Sequence, residues 1–252
     1  MTKSAMHSTL RVQAHDERLP RYHRLRDLLS GEIAQGRFKP EQAIPTEAEL
    51  ASSHKVSVGT VRKAIDALVA DGLLERFQGK GTFVRRPKFD SSLFRFFRFQ
   101  TRAGETRIPE SRILKREVTS APAPVAAALN LPAKAPAIHL SRMRSLDGKP
   151  LLVESIWVAK DRFAALLNLD VREFGDLLYP LYEQFCGQVV ASAQETLTAE
   201  AAGSQTAKLL DMPVGAPVIV VERLAYSYDR QPLEWRRSRG AAEQFRYQVE
   251  IR

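Results

Sequence analysis

The sequence predicts an α+β fold made of two domains. The first third combines helical apolar spacing, two helix-capping signals and a glycine-rich hairpin, which indicates a small, mainly helical domain. The rest contains two related segments rich in β-branched and aromatic residues, which indicate an antiparallel sheet with helices. A length of 252 residues, 44% of them hydrophobic, is sufficient for two cores. We expect the domains to span residues 20–86 and 93–252, with a linker over residues 87–92.

Residues 1–19 are predicted to be a disordered leader. Lys3, His7, Arg11 and His15 interrupt any apolar run there, so the segment does not have the composition of a secretory signal. No later stretch has the length and hydrophobicity of a membrane span. We therefore expect a cytoplasmic protein without a membrane partner. One cysteine, Cys186, excludes an internal disulfide, and we expect it to be a core thiol.

The first helix is predicted from the spacing of its leucine and isoleucine residues. Leu25, Leu28, Leu29 and Ile33 recur at helical intervals with charged residues between them, and Gly36 is placed to end the helix. The pattern indicates an amphipathic helix that packs one apolar face against the rest of the first domain.

Two capping signals follow and predict a pair of helices joined by a tight turn. In the stretch IPTEAELA, Thr46 can cap a helix while Glu49 returns to the Thr46 amide, which is a capping box. This second helix should end near His54. Ser57 is placed to cap a third helix that runs to about Ala70.

The third helix has one apolar side and one side of small or basic residues. Its apolar stripe consists of Val61, Ala64, Ile65, Leu68 and Val69. The open side, near the helix N-terminus, carries Ser57, Gly59, Thr60, Arg62 and Lys63. Small residues let the backbone approach the base edges of a major groove, while hydroxyl groups and an arginine can contact phosphate or guanine. The pattern predicts a recognition helix for duplex DNA.

A glycine-rich hairpin follows the third helix. Two short alternating runs in LLERFQGKGTFV flank the tip Gln78-Gly79-Lys80-Gly81. Such a tip can enter a minor groove, where Lys80 would meet phosphates, and the formal charge of +9 suits a polyanionic partner. A small helical domain with a solvated basic face is the alternative interpretation of the same residues.

The second domain contains an internal repeat. Two segments align with Arg142 on Arg223, 81 positions apart. Each copy predicts a long strand, a tight turn at Asp147-Gly148 or Asp229-Arg230, and a return strand. We expect the two hairpins to pair edge to edge in one antiparallel sheet. One face of this sheet should be covered by helices near residues 125–130, 162–168, 176–185 and 204–210.

The first copy of the repeat places two arginines side by side. Arg142 and Arg144 lie on the same face of a strand, where their guanidinium groups repel each other unless an anion or carboxylates neutralise them. A bound anion and an internal ion pair with Glu154 or Glu234 explain the pattern equally well. The repeat is broken here, since Arg144 aligns with Ala225, and such a difference is where a pocket between the copies acquires specificity.

Residues 44–84 as a whole resemble the winged helix of the GntR family of bacterial transcriptional regulators. The similarity covers IPTEAELASSHKVSVGTVRKAIDALVADGLLERFQGKGTFV without a gap. It implies DNA contacts from the recognition helix and from the hairpin, or wing. Many family members carry arginine where Ala48 and Val58 stand, so we expect base readout either to be altered or to depend more on Thr60, Arg62 and Lys63. The predicted DNA-binding residues are Thr46, Ser57, Gly59, Thr60, Arg62, Lys63, Gly79, Lys80 and Gly81.

The second domain resembles the UTRA effector-binding domain of the HutC-like branch of that family. The stretches SRMRSLDGKPLLVES and ERLAYSYDRQPLEWRRS match its two signature hairpins. The resemblance implies a chorismate-lyase-like fold that serves as a sensor, in which Arg142 and Arg144 hold an anion. It also implies that Glu154 and Glu234 hold hydroxyl or amide groups. The usual serine is missing from GDLLYP, and GAAE replaces the usual Tyr-Arg-Gly-Asp, so phosphate and carboxylate effectors both stay open.

Together these features predict a ligand-responsive regulator that binds a double-stranded DNA operator. We expect a homodimeric repressor that a small anionic metabolite releases from a palindromic operator, without a metal or other cofactor. An enzyme of chorismate-lyase-like fold tethered to DNA is the alternative. The sequence shows no nucleophile–base pair and no metal spacing of histidines, and His139 is expected to be a hydrogen-bonded core residue. An all-helical second domain is a third reading, which the β-branched run from Pro217 to Tyr228 opposes.

Overall fold

The computed structural model describes residues 19–38, 43–85 and 108–245. These residues form two compact units that divide at Arg85. The predicted linker and nearly all of the predicted leader lie outside the described residues. None of the described helices is both long and apolar enough to cross a membrane.

The first unit consists of three helices and a two-stranded antiparallel sheet. Helices α1 and α2 both pack against α3, and Leu29, Leu50 and Ile65 are buried between them. Ala43 adds an isolated antiparallel bridge to Phe83. The elements are α1 (Arg21–Ala34), α2 (Glu47–His54), α3 (Val58–Ala70), β1 (Leu74–Phe77) and β2 (Gly81–Val84).

Both predicted helix caps are confirmed. The Glu49 amide donates to Thr46 Oγ1 at 3.3 Å, and the Thr46 amide donates to Glu49 Oε2 at 2.7 Å, which completes the capping box. The Thr60 amide donates to Ser57 Oγ at 3.1 Å at the start of α3. Lys55 takes the left-handed conformation that closes α2, so the two helices follow each other after a tight turn.

The predicted apolar face of α1 is wrong at one residue. Leu25, Leu29 and Ile33 are buried, but Leu28 is 39% exposed. Successive helical residues are rotated by roughly 100°, so Leu28 lies about 100° from the centre of the stripe formed by the other three. It borders an open groove on the surface together with Leu25 and His54.

The second unit is a six-stranded antiparallel sheet with helices. The strands are β3 (Glu110–Ser120), β4 (Pro136–Leu146), β5 (Lys149–Ala159), β6 (Ser192–Ala201), β7 (Pro217–Tyr226) and β8 (Pro232–Ala241). The helices are α4 (Ala123–Ala128), α5 (Lys160–Phe163), α6 (Leu178–Cys186) and α7 (Ser204–Leu210). Short 3-10 turns span Ala164–Leu167, Val171–Phe174 and Ala242–Gln244.

The sheet arranges the two copies of the repeat around a pseudo-two-fold axis. Its strand order is β3-β4-β5-β8-β7-β6, so the two predicted hairpins pair through β5 and β8 as expected. Ser155 and Arg237 occupy equivalent positions in the repeat and are direct partners in this pairing. The axis therefore passes between them. The outer strands β3 and β6, one per copy, had not been predicted from the sequence.

The helices cover both faces of the sheet, which corrects the expectation of one covered face. Helices α4 and α7 pack on the face that includes Met143 and Trp157. Helices α5 and α6 pack on the opposite face, which includes Leu140 and Ile156. Successive residues of a strand alternate between faces, and the central strands are apolar on both, so each face requires a cover. We refer to the second of these as the α6 face.

The two hairpin turns differ from each other. The first is the predicted tight turn, in which Asp147 and Gly148 both have positive φ values of 50° and 74°. The second is longer than predicted, because strand pairing stops at Tyr226 and resumes at Pro232. Ser227 closes this loop by hydrogen bonds to Gln231.

Candidate functional site

The exposed end of α3 consists of small residues that leave the backbone accessible. Ser57, Val58 and Gly59 are exposed, and a Cβ added to Gly59 would meet nothing closer than Ser57 Oγ at 3.9 Å. Thr60 is half-buried, and its hydroxyl lies 2.9 Å from that of Ser57. This end of the helix therefore combines two adjacent hydroxyl groups with backbone that a large ligand can approach closely.

Arg62 is exposed on α3, but an acidic residue holds its guanidinium group. Arg62 Nε donates to Glu47 Oε2 at 3.0 Å, and this hydrogen bond and the charge of Glu47 raise the pKa of Arg62. Arg76 of β1 lies 3.6 Å from the other oxygen of Glu47 and pairs with Asp66 at 2.5 Å. The four residues connect α2, α3 and the hairpin. The sequence analysis missed Glu47 and Arg76, because their contacts join residues 10 to 29 positions apart.

The other predicted residues of α2 and α3 have simpler surroundings. Lys63 is exposed beside Arg62. Thr46 is exposed, but its hydroxyl accepts a hydrogen bond from the Glu49 amide and donates one to Glu49 Oε2 at 2.8 Å. Its hydroxyl therefore serves the helix cap.

The hairpin tip is small, exposed and basic. Phe77 pairs with Gly81, and the Lys80 amide donates to the Phe77 carbonyl at 3.0 Å to close the turn. Gly79 and Gly81 have φ values of +74° and +119°, a region that side chains rarely adopt. A Cβ on Gly81 would also lie 3.0 Å from that of Ala43. The fold thus requires glycine at both positions and exposes Lys80 between them.

Buried charged groups form a band across the α6 face of the second unit. Strand register brings Arg142 opposite Glu154, and Glu154 opposite Ser238. The buried charged and polar residues of the band are Arg142, Arg144, Glu154, Arg223, Glu234, Arg236 and Ser238, each at most 3% exposed. We call these residues the polar band. All four predicted effector residues belong to it.

Glu154 is surrounded by cationic and hydroxyl donors. Arg142 Nε donates to it at 2.5 Å and Ser238 Oγ at 3.0 Å, while Arg236 Nη1 lies 3.6 Å away. Burial alone would raise the pKa of Glu154, but the charges of Arg142, Arg236 and Arg144 outweigh burial and hold it well below its usual range. Glu154 is therefore ionised, and the predicted internal ion pair with Arg142 is present.

Glu234 is held by two tyrosines of α6 and by an arginine. Tyr182 donates to it at 2.7 Å, Tyr179 at 3.2 Å, and Arg236 Nη2 at 2.7 Å. Burial, reinforced by the negative charge of Glu234, raises the pKa of both tyrosines, so both stay protonated as donors. Glu234 does not pair with Arg142 or Arg144.

Arg144 differs from the other arginines of the polar band. Its Nη2 donates a hydrogen bond to the Pro109 carbonyl at 3.0 Å. Burial lowers its pKa to about 10, with Glu154 opposing this shift and Arg142 and Arg236 adding to it. Among the described residues, Arg144 Nε, Arg142 Nη1 and Arg236 Nε are buried without a hydrogen-bond partner. The N–H groups of these three nitrogen atoms can donate hydrogen bonds to a bound anion.

The band carries a net positive charge. Its four arginines are matched by Glu154, Glu234 and Glu195, the last of which accepts from Arg223 Nε at 2.6 Å. The sequence analysis did not predict Arg223, Arg236 and Ser238 as site residues, nor Glu195, Tyr179 and Tyr182 as the partners of the polar band. The repeat contained the signal for Arg223, since it aligns with Arg142.

On the opposite face, His139 is a hydrogen-bonded residue as predicted. Its Nδ1 lies 3.1 Å from Glu117 and its Nε2 lies 2.9 Å from Ser155 Oγ, while its ring stacks on Trp157 at 4.3 Å. Ser155 Oγ also accepts from the Trp157 indole at 3.1 Å. Cys186 is partly buried against the core at the end of α6, and burial raises the pKa of its thiol.

Comparison with known protein families agrees with this two-part organisation. Residues 21–84 match the model of the gntR family of bacterial regulatory proteins, and residues 104–246 match that of the UTRA domain. The chain is also 34% identical over 213 residues, 84% of its own length and 86% of the relative's, to an Escherichia coli K12 protein. That relative is named "Probable fructoselysine utilization operon transcriptional repressor".

The chain belongs to the GntR family. A second GntR relative, the HTH-type transcriptional repressor NagR of Bacillus subtilis, is 28% identical over 209 residues, which cover 82% of this chain and 85% of NagR. The solved ligand-binding domain of a GntR-family regulator from Bordetella bronchiseptica is 30% identical, with a TM-score of 0.50, and covers 57% of this chain and 91% of that domain. This GntR protein is thus a transcriptional regulator with a DNA-binding winged helix and a small-molecule effector domain. The enzyme alternative and the all-helical second domain are both wrong.

Proposed function

We propose that this GntR regulator is a homodimeric repressor whose affinity for a palindromic operator is lowered by a small anion bound in the polar band. The observation that carries the proposal is that three guanidinium nitrogens of the polar band, on Arg142, Arg144 and Arg236, are buried without a hydrogen-bond partner among the described residues. A buried donor left unpaired costs about 1–3 kcal/mol, so a ligand that accepts from these nitrogens gains binding energy.

The charge of the band supports an anionic effector. Four arginines against three carboxylates leave one positive charge uncompensated, close to Arg144, which has no carboxylate partner among the described residues. A carboxylate and a phosphate both meet this requirement. The Escherichia coli relative is named after the utilisation of fructoselysine, a sugar derivative, which supports anionic sugar derivatives as the first compounds to test.

Glu154 and Glu234 would then contact the polar part of the effector. Both carboxylates already accept hydrogen bonds from arginine side chains, and their oxygens can also accept from hydroxyl or amide groups of a ligand. Ligand entry would have to exchange some of their present bonds to Ser238, Tyr179 and Tyr182 for bonds to the ligand. Tyr179 and Tyr182 lie on α6, so such an exchange would shift this helix relative to the sheet.

The DNA contacts would come from the first unit, within residues 20–86. We propose that Ser57, Gly59 and Thr60 face the bases or backbone of the major groove, with Arg62 and Lys63 beside them. Gly79, Lys80 and Gly81 would enter the minor groove, as their small, exposed and basic tip favours. Thr46 would act mainly by fixing the start of α2, whose N-terminus can face a phosphate.

The test combines a ligand screen with operator binding. Anionic sugar derivatives, sugar phosphates and simple carboxylates are screened for a rise in the melting temperature of the full chain, and each hit is titrated into protein bound to its operator. We expect a hit to lower operator affinity at least tenfold at constant salt, and Arg144→Met to abolish this effect.

Arg112→Met, which removes an exposed arginine of the same unit, is the matched control and should respond like the unmodified protein. An operator affinity that no anion changes, or a response that survives Arg144→Met, would contradict the proposal. A DNase footprint without an inverted repeat would contradict the palindromic operator.

A further inference from the structure

Ser111 of β3 carries a buried hydroxyl group that the fold does not use. Strand register places Ser111 directly opposite Arg144 of β4. Directly paired residues of neighbouring strands lie on the same face of a sheet, so both side chains belong to the α6 face. Ser111 Oγ is buried without a hydrogen-bond partner within residues 19–38, 43–85 and 108–245. A buried hydroxyl group in this state is uncommon in native proteins and requires an explanation.

The backbone around Ser111 is fixed independently of its hydroxyl group. The Ser111 amide donates to Asp176 Oδ1 at 2.7 Å, and Asp176 lies two residues before the first residue of α6. The Pro109 carbonyl accepts from Arg144 Nη2 at 3.0 Å. These two hydrogen bonds tie the start of β3 to the segment that leads into α6 and to β4. The position of the Ser111 side chain is therefore set by contacts that leave its hydroxyl group available.

Arg144 supplies the neighbouring donor that also lacks an acceptor. The residue is 2% exposed, and its Nε is buried without a hydrogen-bond partner in the part of the chain that the structure describes. Arg142 Nη1, on the same face of β4 and two positions away, is in the same state. A carboxylate or a phosphate has several acceptor oxygens and can accept from guanidinium N–H groups and from a hydroxyl group at the same time.

Hydroxyl groups elsewhere in the polar band and on α6 are already engaged by carboxylates. Ser238 Oγ donates to Glu154 at 3.0 Å, and both tyrosines of α6 donate to Glu234. An anion that recruited one of these hydroxyl groups would have to break an existing bond to a buried carboxylate. The Ser111 hydroxyl group can donate to an anion without such a loss, which distinguishes it from the others.

We propose that Ser111 and Arg144 together form the subsite that binds the anionic group of the effector, a carboxylate or a phosphate. This inference rests on the proposed function, in which a small anion binds in the polar band. It assigns the charged end of the effector to the β3–β4 end of the band and its polar part to Glu154 and Glu234. Asp176 is exposed, so this end of the band borders the surface from which an anion can enter, and solvent screens the charge of Asp176.

Anion titrations of the full chain test the subsite. The arginine Nε–H resonances of nitrogen-15-labelled protein are followed while sodium phosphate or sodium acetate replaces sodium chloride at constant ionic strength, and Arg144→Met identifies the Arg144 signal. We expect at least one anion to shift this signal to saturation, the tighter of the two identifying the preferred group. Ser111→Ala should weaken this binding about tenfold, as expected for one lost hydrogen bond to a charged group. Ser111→Thr keeps the hydroxyl group and should bind nearly as tightly as the unmodified chain.

The melting temperature in anion-free buffer separates a binding role from a structural one. Ser111→Ala removes a buried hydroxyl group without a partner, so tryptophan fluorescence should show an unchanged or higher melting temperature. Ser120→Ala removes a hydroxyl group of the same strand that bonds the Lys134 carbonyl; this matched control should leave anion affinity unchanged. If Ser111→Ala binds the anions as tightly as the unmodified chain, or melts at a lower temperature, the Ser111 subsite is overturned and the proposed function stands. If neither anion shifts the Arg144 signal of the unmodified chain, the anion site of the proposed function fails as well.

Discussion

Neighbouring arginines of the polar band should respond in opposite directions to the same substitution. Arg142 and Arg144 are two residues apart on one face of β4, and both are almost completely buried. Arg142 forms an ion pair with Glu154, whereas Arg144 donates to a backbone carbonyl and lacks a carboxylate partner among the described residues. We expect Arg144→Met to stabilise the ligand-free second unit and Arg142→Met to destabilise it.

The magnitude for Arg144 follows from its pKa. Burial lowers this pKa from 12.5 to about 10, which corresponds to about 3 kcal/mol against the charged form, at about 1.4 kcal/mol per tenfold change in the ionisation constant. Methionine removes this penalty but leaves the Pro109 carbonyl without its donor, which costs about 1 kcal/mol. The expected net gain in the free energy of unfolding is therefore about 2 kcal/mol.

The magnitude for Arg142 has the opposite sign. Removal of one partner from a buried ion pair leaves the other charge uncompensated, which typically costs about 3–5 kcal/mol. Glu154 would keep Ser238 at 3.0 Å and the more distant Arg236, so the lower end of this range, about 3 kcal/mol, is expected. The two variants should thus differ by about 5 kcal/mol.

Urea unfolding followed by tryptophan fluorescence measures both values. The chain has two tryptophans, Trp157 and Trp235, and they are direct partners across β5 and β8, so the signal reports the second unit alone. A base whose folded pKa is lowered is destabilising at every pH below that pKa, and the penalty disappears only as the pH rises through about 10 towards 12.5. The gain of Arg144→Met should therefore be constant between pH 6 and pH 9. Equal destabilisation by both variants would refute the reasoning.

Three further predictions concern other parts of the molecule. Glu47→Gln removes a carboxylate that holds Arg62, and we expect the affinity for unrelated duplex DNA to rise about tenfold in fluorescence anisotropy, with less discrimination in favour of the operator. Lys80→Ala should weaken binding of all duplexes and reduce the slope of log K against log salt by about 1, as expected for one lost phosphate contact; an unchanged slope would argue against the wing contact. Glu154→Gln should lower the free energy of unfolding by about 3 kcal/mol at pH 7. Because the folded pKa of Glu154 is lowered, the ionised carboxylate stabilises the protein above the ordinary carboxyl pKa of 4.5, and this stabilisation is lost as the pH falls. The difference in the free energy of unfolding between the unmodified protein and this variant should therefore decrease in urea titrations at acid pH.

The sequence alone determined the features that depend on local interactions. Thr46 and Ser57 cap their helices through amides three residues away, and the glycines of the hairpin tip adopt conformations that their own backbone allows. The internal repeat likewise predicted how the two hairpins meet. These features could be predicted because the residues that interact lie within a few positions of each other, or at a fixed offset in the sequence.

Only the tertiary structure decided which charged groups share the polar band and how they pair. From the sequence, Arg142 could equally have paired with Glu154 or Glu234. Strand register places Glu154 opposite Arg142, whereas Glu234 accepts hydrogen bonds from Arg236 and from the tyrosines of α6. The same register leaves Arg144 without a carboxylate partner among the described residues. The packing of α2 against α3 likewise brings Glu47 to Arg62. A one-residue change of register moves every side chain of a strand to the other face, so these pairings are properties of the assembled sheet and helices rather than of any segment.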